Sequence, residues 1–323
     1  MRNASFFFLF LAMMLSARAQ AFDEGGLAYT ITNSISPFTV QVTGRASGNS
    51  ATEISIPDTV TSNEITYSVT TIADSAFSSN ALISVTIADS VTTIGNKAFA
   101  FNNALASVTI GSSVNTIGTQ AFYFNALTSL TISDSVTTIG DQAFAFNNTL
   151  TSLTIGSSVT TIGARAFYDN DLSSLTIGNS VETIGNEAFW NNTSLTSLTI
   201  SDSVTTVGDK AFGSNNSLTS VTFLGNFGAF NLNMFTGNSN LTTITYVQGK
   251  TDWPATFTLG ASGSVDAIPS TFEQGDLAYL ITSANTVTVT GRASNNSATE
   301  ITIPNAVTSN GTTYSVTTIG VAA

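Results

Sequence analysis

Few side chains here can do chemistry. The 323 residues include no His and no Cys, 8 Lys or Arg, and 20 Asp or Glu. Imidazole bases, thiolate nucleophiles, disulfides, and thiolate or imidazole metal sites are therefore beyond this chain. Carboxylates remain for acid–base work, but none cluster as a calcium loop or a glycosidase pair would require. No cofactor is expected, and an enzyme is the least supported class. The net charge is −12 and only 9% of residues are charged, against ~25% in ordinary soluble domains. That balance turns away nucleic acid, whose phosphates are met mainly by Lys and Arg.

Hydroxyls and aromatic rings are left as candidates for recognition. Ser-x-Thr pairs recur at Ser84 and Thr86, Ser107 and Thr109, Ser129 and Thr131, Ser152 and Thr154, Ser174 and Thr176, Ser197 and Thr199, and Ser220 and Thr222, with Thr243 and Thr245 last. If each pair sits on a strand of one stack, the strands lie about 4.8 Å apart and the hydroxyls form a ladder. Such a face is either a plain solvated β surface or a platform for a protein or glycan. A third reading, a hydroxyl array matched to ice, uses the same residues. A second candidate set is Phe101, Tyr123, Phe124, Phe146, Tyr168 and Trp190. These rings either pack between neighbouring turns or form an exposed binding patch.

What positions both sets is a repeat. Phe77, Phe99, Phe122, Phe144, Phe167, Phe189, Phe212 and Phe235 are spaced 22, 23, 22, 23, 22, 23 and 23 residues apart. A period of this length signals a solenoid of leucine-rich type, mainly β. In the unit 127–149, Leu130 and Ile132 alternate with Ser129 and Thr131, the mark of a strand with one buried face. Val136–Ile139 forms a second short extended piece rich in β-branched residues. Gly140 and its counterparts Gly95, Gly118, Gly163, Gly185 and Gly208 suggest a turn needing φ > 0. The Ala-Phe pair drives one ring into the core. An Asn follows three residues after each Phe anchor, from Asn80 to Asn238, and is expected to pair with backbone groups of adjacent turns. Lys97, Arg165, Glu187 and Lys210 share one variable slot and read as solubility residues.

The pattern L-x-S-L-T-I-x-x-S-V-T-T-I-G-x-x-A-F-x-x-N, running roughly from Ile54 to Tyr246, resembles the BspA-like leucine-rich repeats of bacterial and protozoan surface proteins. Members often carry Cys where this chain has Asn170 or Asn192, a departure that touches packing. The resemblance implies a secreted or surface-exposed binding solenoid, in some members an adhesin. It supplies no catalytic residues.

The flanks complete the expected organisation. Residues 1–19 read as a signal peptide: a positive start at Arg2, an apolar run from Phe6 to Leu15, and cleavage after Ala19 or, as a close alternative, after Ala21. Losing Arg2 and Arg18 takes the net charge from −12 to −14. The apolar run is too short to span a bilayer, which needs about 20 residues, and no later segment is expected to cross one. Residues 20–76 read as a β-rich N-terminal cap with a first rung at Ile54–Ile56 and an insertion at Ser62–Tyr67. Residues 77–246 hold the repeats. Phe227, Phe230 and Phe235 keep the spacing of Val136, Ile139 and Phe144, so the last rungs stay in register with Phe in place of β-branched residues. Residues 247–271 show few strand signals and read as an exit cap and linker, with Trp253 covering the last rung. Residues 272–323 repeat the cap: GRASGNSATEISIP at 44–57 returns as GRASNNSATEITIP at 291–304. That second cap stops just before its first Phe, which points to a fragment of a longer protein, or else a truncated gene.

Overall fold

The computed structural model describes residues 20–226, 229–231 and 233–246, and beyond them the segments 256–258, 264–269, 271–274, 277–283, 286–292, 304–309 and 312–319. The expected signal peptide, Phe227, Trp253, Pro254, Gly260 and Gly263 lie outside the described residues.

The chain opens with an antiparallel meander of β1 (Ala21–Glu24), β2 (Leu27–Asn33) and β3 (Thr39–Arg45). Gly25 and Gly26, at φ +58 and +81, form the two-residue turn whose twist suits a hairpin. A first rung strand, β4 (Glu53–Ile56), is followed by β5 (Thr59–Ser62) and β6 (Ile65–Ile72). The expected insertion is thus the tip of the β5/β6 hairpin, turning through Asn63 and Glu64, both at positive φ. β6 also pairs in parallel with β3 and with the first Thr-Ile strand of the solenoid.

From there each coil contributes two short strands. The Thr-Ile strands stack in register: Thr93–Ile94, Thr116–Ile117, Thr138–Ile139, Thr161–Ile162, Thr183–Ile184, Thr206–Val207 and Ala229–Phe230. With the cap strands they form one 12-stranded sheet. Phe230 is the register partner of Val207 and is buried, as the Phe spacing implied. The Ser-x-Thr strands stack in parallel on another side. No helix occurs among the described residues.

The core is a column. Phe77, Phe99, Phe122, Phe144, Phe167, Phe189 and Phe212 stack with centroids 5.1 to 5.4 Å apart and planes within 11° of parallel. Phe235 closes the column at 6.0 Å. Each ring is fully buried, and each such pair contributes ~0.5–1.5 kcal/mol beyond its area burial. A small Ala precedes each Phe from Phe77 to Phe212, whereas Met234 precedes Phe235, where the spacing widens.

Two expectations need correction. The recurring Gly after Ile does not have positive φ. It is required because the rungs approach closely there: a Cβ on Gly95, Gly118, Gly140, Gly163, Gly185 or Gly208 would lie 2.5–2.8 Å from atoms of the rung before. Positive φ falls instead on non-glycine residues, two per rung: Lys97, Gln120, Gln142, Arg165, Glu187 and Lys210 before the Ala-Phe pair, and Phe101, Phe124, Phe146, Asp169, Asn191 and Ser214 after it. These backbones aim alternate N–H groups at the next rung, as in Gln120 to Asp141, Phe122 to Ala143 and Phe124 to Ala145. The second correction concerns 247–271, where few strands were expected. Ser264–Pro269 pairs in parallel with Thr243–Tyr246 and Thr256–Thr258 pairs antiparallel with Ser264–Pro269, so the sheet runs two strands further.

Farther on, Thr271–Gln274, Leu277–Ser283, Thr286–Arg292, Ala306–Ser309 and Thr312–Ile319 pair with the same connectivity as β1, β2, β3, β5 and β6. The sequence repeat at the two ends is therefore also a repeat of topology.

Candidate binding surface

The Ser-x-Thr strands place their hydroxyls outward. Ser129, Thr131, Ser152, Thr154, Ser174, Thr176, Ser197 and Thr199 are all exposed, while Leu130, Leu175 and Leu198 between them are buried. The pairs are in register, Ser129 beside Ser152 and Thr131 beside Thr154, Thr176 beside Thr199 and Thr199 beside Thr222. The ladder is not continuous, however. It consists of a three-stranded piece ending at Ser107–Thr109, a two-stranded piece of Ser129–Thr131 and Ser152–Thr154, and a longer piece starting at Leu175–Thr176.

The breaks fall where consecutive Ser-x-Thr pairs are 22 residues apart rather than 23. In a long corner the Leu N–H closes on its own Asn carbonyl, as Leu105 does on Asn102 and Leu150 on Asn147. In the short corners Asn125-Ala126-Leu127 and Asn170-Asp171-Leu172 that closure is missing. There the Leu N–H reaches the side-chain oxygen of the next Asn instead, Leu127 to Asn147 and Leu172 to Asn192.

The Asn column is the buried polar spine of the coil. Asn102 Oδ1 accepts from the Asn80 and Leu82 N–H groups at 2.9 and 3.1 Å, and its Nδ2 donates to the Phe77 and Phe99 carbonyls, both at 2.9 Å. Asn147 and Asn192 repeat the two donated bonds. This is the structural role expected from the spacing, and Asn170 and Asn192 share it.

The aromatic set divides. Phe101 and Phe124 are 46% and 44% exposed. Tyr123, Phe146, Tyr168 and Trp190 are half-buried. Phe101, Tyr123, Phe146 and Tyr168 form a chain of edge and tilted contacts 5.3–5.4 Å apart, and Phe124 leans on Phe101 and Phe146 at 6.2 and 6.1 Å. Arg165 lies over the Tyr168 ring at 5.8 Å. Trp190 occupies the space that a side chain at Gly213 would need, so its ring packs against the next rung. Phe101, Phe124 and Phe146 hold positive φ, unusual for a bulky residue. Nothing in the sequence period announces that strain, because Asp169, Asn191 and Ser214 fill the same slot elsewhere.

Charged side chains gather on another edge. Arg165 and Glu187 pair at 2.6 Å, and that hydrogen bond and charge push the Arg165 guanidinium further up. They border a shallow groove with Asp141, Asn186 and Asp209. Being exposed, the pair contributes about 0–1 kcal/mol. Among the described residues no three His, Cys, Asp or Glu side chains gather as metal ligands, and no helix is long and apolar enough to cross a membrane.

The family model for the BspA type leucine rich repeat region matches in six copies, over residues 47–149, 70–196 and 160–255. No curated protein sequence matches the chain. Among solved structures, a leucine-rich repeat protein from T. pallidum is 20% identical, covering 62% of this chain and 91% of its own, with a TM-score of 0.53. One from Bacteroides ovatus is 24% identical, covering 70% of each chain, with a TM-score of 0.46. A leucine rich cell surface protein from Faecalibacterium prausnitzii is 21% identical, covering 77% of this chain and 94% of its own, with a TM-score of 0.40. The repeat unit, the stacked Phe and Asn columns and the matched family model agree: the chain belongs to the BspA-type leucine-rich repeat family.

Proposed function

We propose that this chain is a secreted or cell-surface recognition and adhesion module that binds a protein or glycan partner through the faces of its solenoid. The observation that carries the reading is the outward, in-register hydroxyl face around Ser129, Thr131, Ser152 and Thr154. A solenoid spreads such a face over many rungs, which suits a large, extended partner. Family membership supports a place at the cell surface or outside the cell, and so does the signal-like segment at residues 1–19. Fixed hydroxyls on strands form a preorganised polar surface, so little ordering is lost when a partner docks.

The test is binding of the full chain to panels of matrix proteins, mucins and neutral and anionic glycans. Saturable binding to at least one is expected. Lys substitutions at Thr131, Thr154 and Thr176 map whether this face makes the contact, with about a tenfold loss for the triple variant expected of a protein partner seated there. Flat responses across all panels would overturn the proposal.

A further inference from the structure

The short Asn125 corner is recessed between two corners each one residue longer, and the recess is a cleft of about 190 Å³. Ala126 forms its floor, Phe124 and Phe146 its walls, and Asn103 and Asn148 its rims. The side-chain amides of Asn103 and Asn148 make no hydrogen bond to the protein. No charged residue lines the cleft.

The same deletion recurs at the Asn170 corner and provides an internal comparison. There Asp171 replaces Ala126 and accepts the Ser194 hydroxyl, while Asp169 and Asn191 replace the two Phe and hydrogen-bond to each other. One short corner is thus closed by its own polar groups. The other is left open, with aromatic walls and free amides. Phe124 and Phe146 hold positive φ, which Asp169 and Asn191 adopt with less strain, and Phe124 remains 44% exposed.

We propose that this cleft binds one ring of a neutral polysaccharide, a proposal that rests on the recognition reading above. A pyranose presents a C–H face that suits the negative face of an aromatic ring. Its neighbouring hydroxyls donate and accept, as the paired oxygen and NH₂ of an Asn amide require. Absence of Lys and Arg from the cleft, on a chain of net charge −12, disfavours uronic or sulfated glycans. The volume admits a single ring, so the remainder of the polymer lies along the surface, and affinity comes from repeated engagement.

The test is affinity electrophoresis of the full chain through soluble mixed-linkage β-glucan, galactomannan and α-mannan, with alginate as the anionic comparator. Two variants address the cleft. Phe124→Asn removes a wall and puts at that position a residue that tolerates its backbone, so lost binding cannot be ascribed to unfolding. Ala126→Asp copies the closed corner. The wild type should be retarded by at least one neutral polymer and not by alginate. Both variants should bind at least tenfold more weakly with an unchanged melting temperature, and Glu182→Gln, at an exposed position beside the Thr183–Ile184 strand, should bind as the wild type does. No retardation by any neutral polymer, stronger retardation by alginate, or full binding by both variants would overturn the proposal. So would a protein ligand whose binding, rather than a glycan's, is lost in them. Protein binding without glycan binding would fell the cleft assignment and leave the recognition reading standing; no binding of any kind would fell both.

Discussion

Asn102 joins two rungs with one side chain, and its four bonds explain why an Asn returns after every Phe. In Asn102→Ala the Phe77 carbonyl and the Asn80 and Leu82 N–H groups lose their side-chain partner, while the Phe99 carbonyl keeps the Asn125 amide. Leaving buried backbone groups unsatisfied costs about 1–3 kcal/mol each before relaxation. A loss of about 3 kcal/mol or more in urea denaturation is expected, and a loss below 1 kcal/mol would show that water replaces the amide. The spacing made this residue legible from sequence. It did not make the glycines legible: Gly140 was read as a φ > 0 turn, but its requirement is contact with Gly118 of the neighbouring rung, at 2.7 Å from a would-be Cβ. That is a property of stacking, invisible within one unit. Gly140→Ala should cost about 1–3 kcal/mol as overpacking, and a neutral result in the same titration would show that the rungs part enough to admit a Cβ. The bulky residues at positive φ were likewise hidden, since Phe124 and Asp169 share a slot without sharing chemistry.

Rung length is the element-scale variable. The 22- and 23-residue spacings were visible in the sequence, but their consequence was not. One missing corner residue interrupts the Ser-x-Thr ladder, leaves Leu127 to the amide of Asn147 and opens the cleft beside Phe124. Coil-to-coil contacts also make the corners sensitive to acid. Asp89 and Asp134 accept the Ser112 and Ser157 N–H groups of the following coil. These hydrogen bonds hold both carboxyls below their ordinary value of 3.8. With the folded pKa depressed, the stabilisation is present above pH 3.8 and is lost as the pH falls through the lowered values. Melting temperature should therefore drop below pH 3.8, and Asp134→Asn should flatten part of that drop. Asn serves the same purpose at Asn96 and Asn186. An unchanged pH profile in the variant would remove Asp134 from the account.

At the scale of the whole molecule, the stacked rungs put one aromatic column inside and hydroxyls outside. The solenoid and its period were legible because every rung must bury the same residues against the next. Partner identity was not legible, since Ser and Thr on an exposed strand serve solvent and ligand equally well. An acidic surface with few charges suits contact with uncharged or basic partners outside the cell, in keeping with the recognition reading. The most direct measurement of that reading is a binding isotherm for the full chain against a panel of matrix proteins and neutral glycans, repeated with the Thr131, Thr154 and Thr176 Lys variant and with Phe124→Asn. The account predicts saturation with at least one panel member and about a tenfold weaker isotherm in one of the two variants. Linear, non-saturating responses across the panel, or binding that neither variant alters, would contradict it.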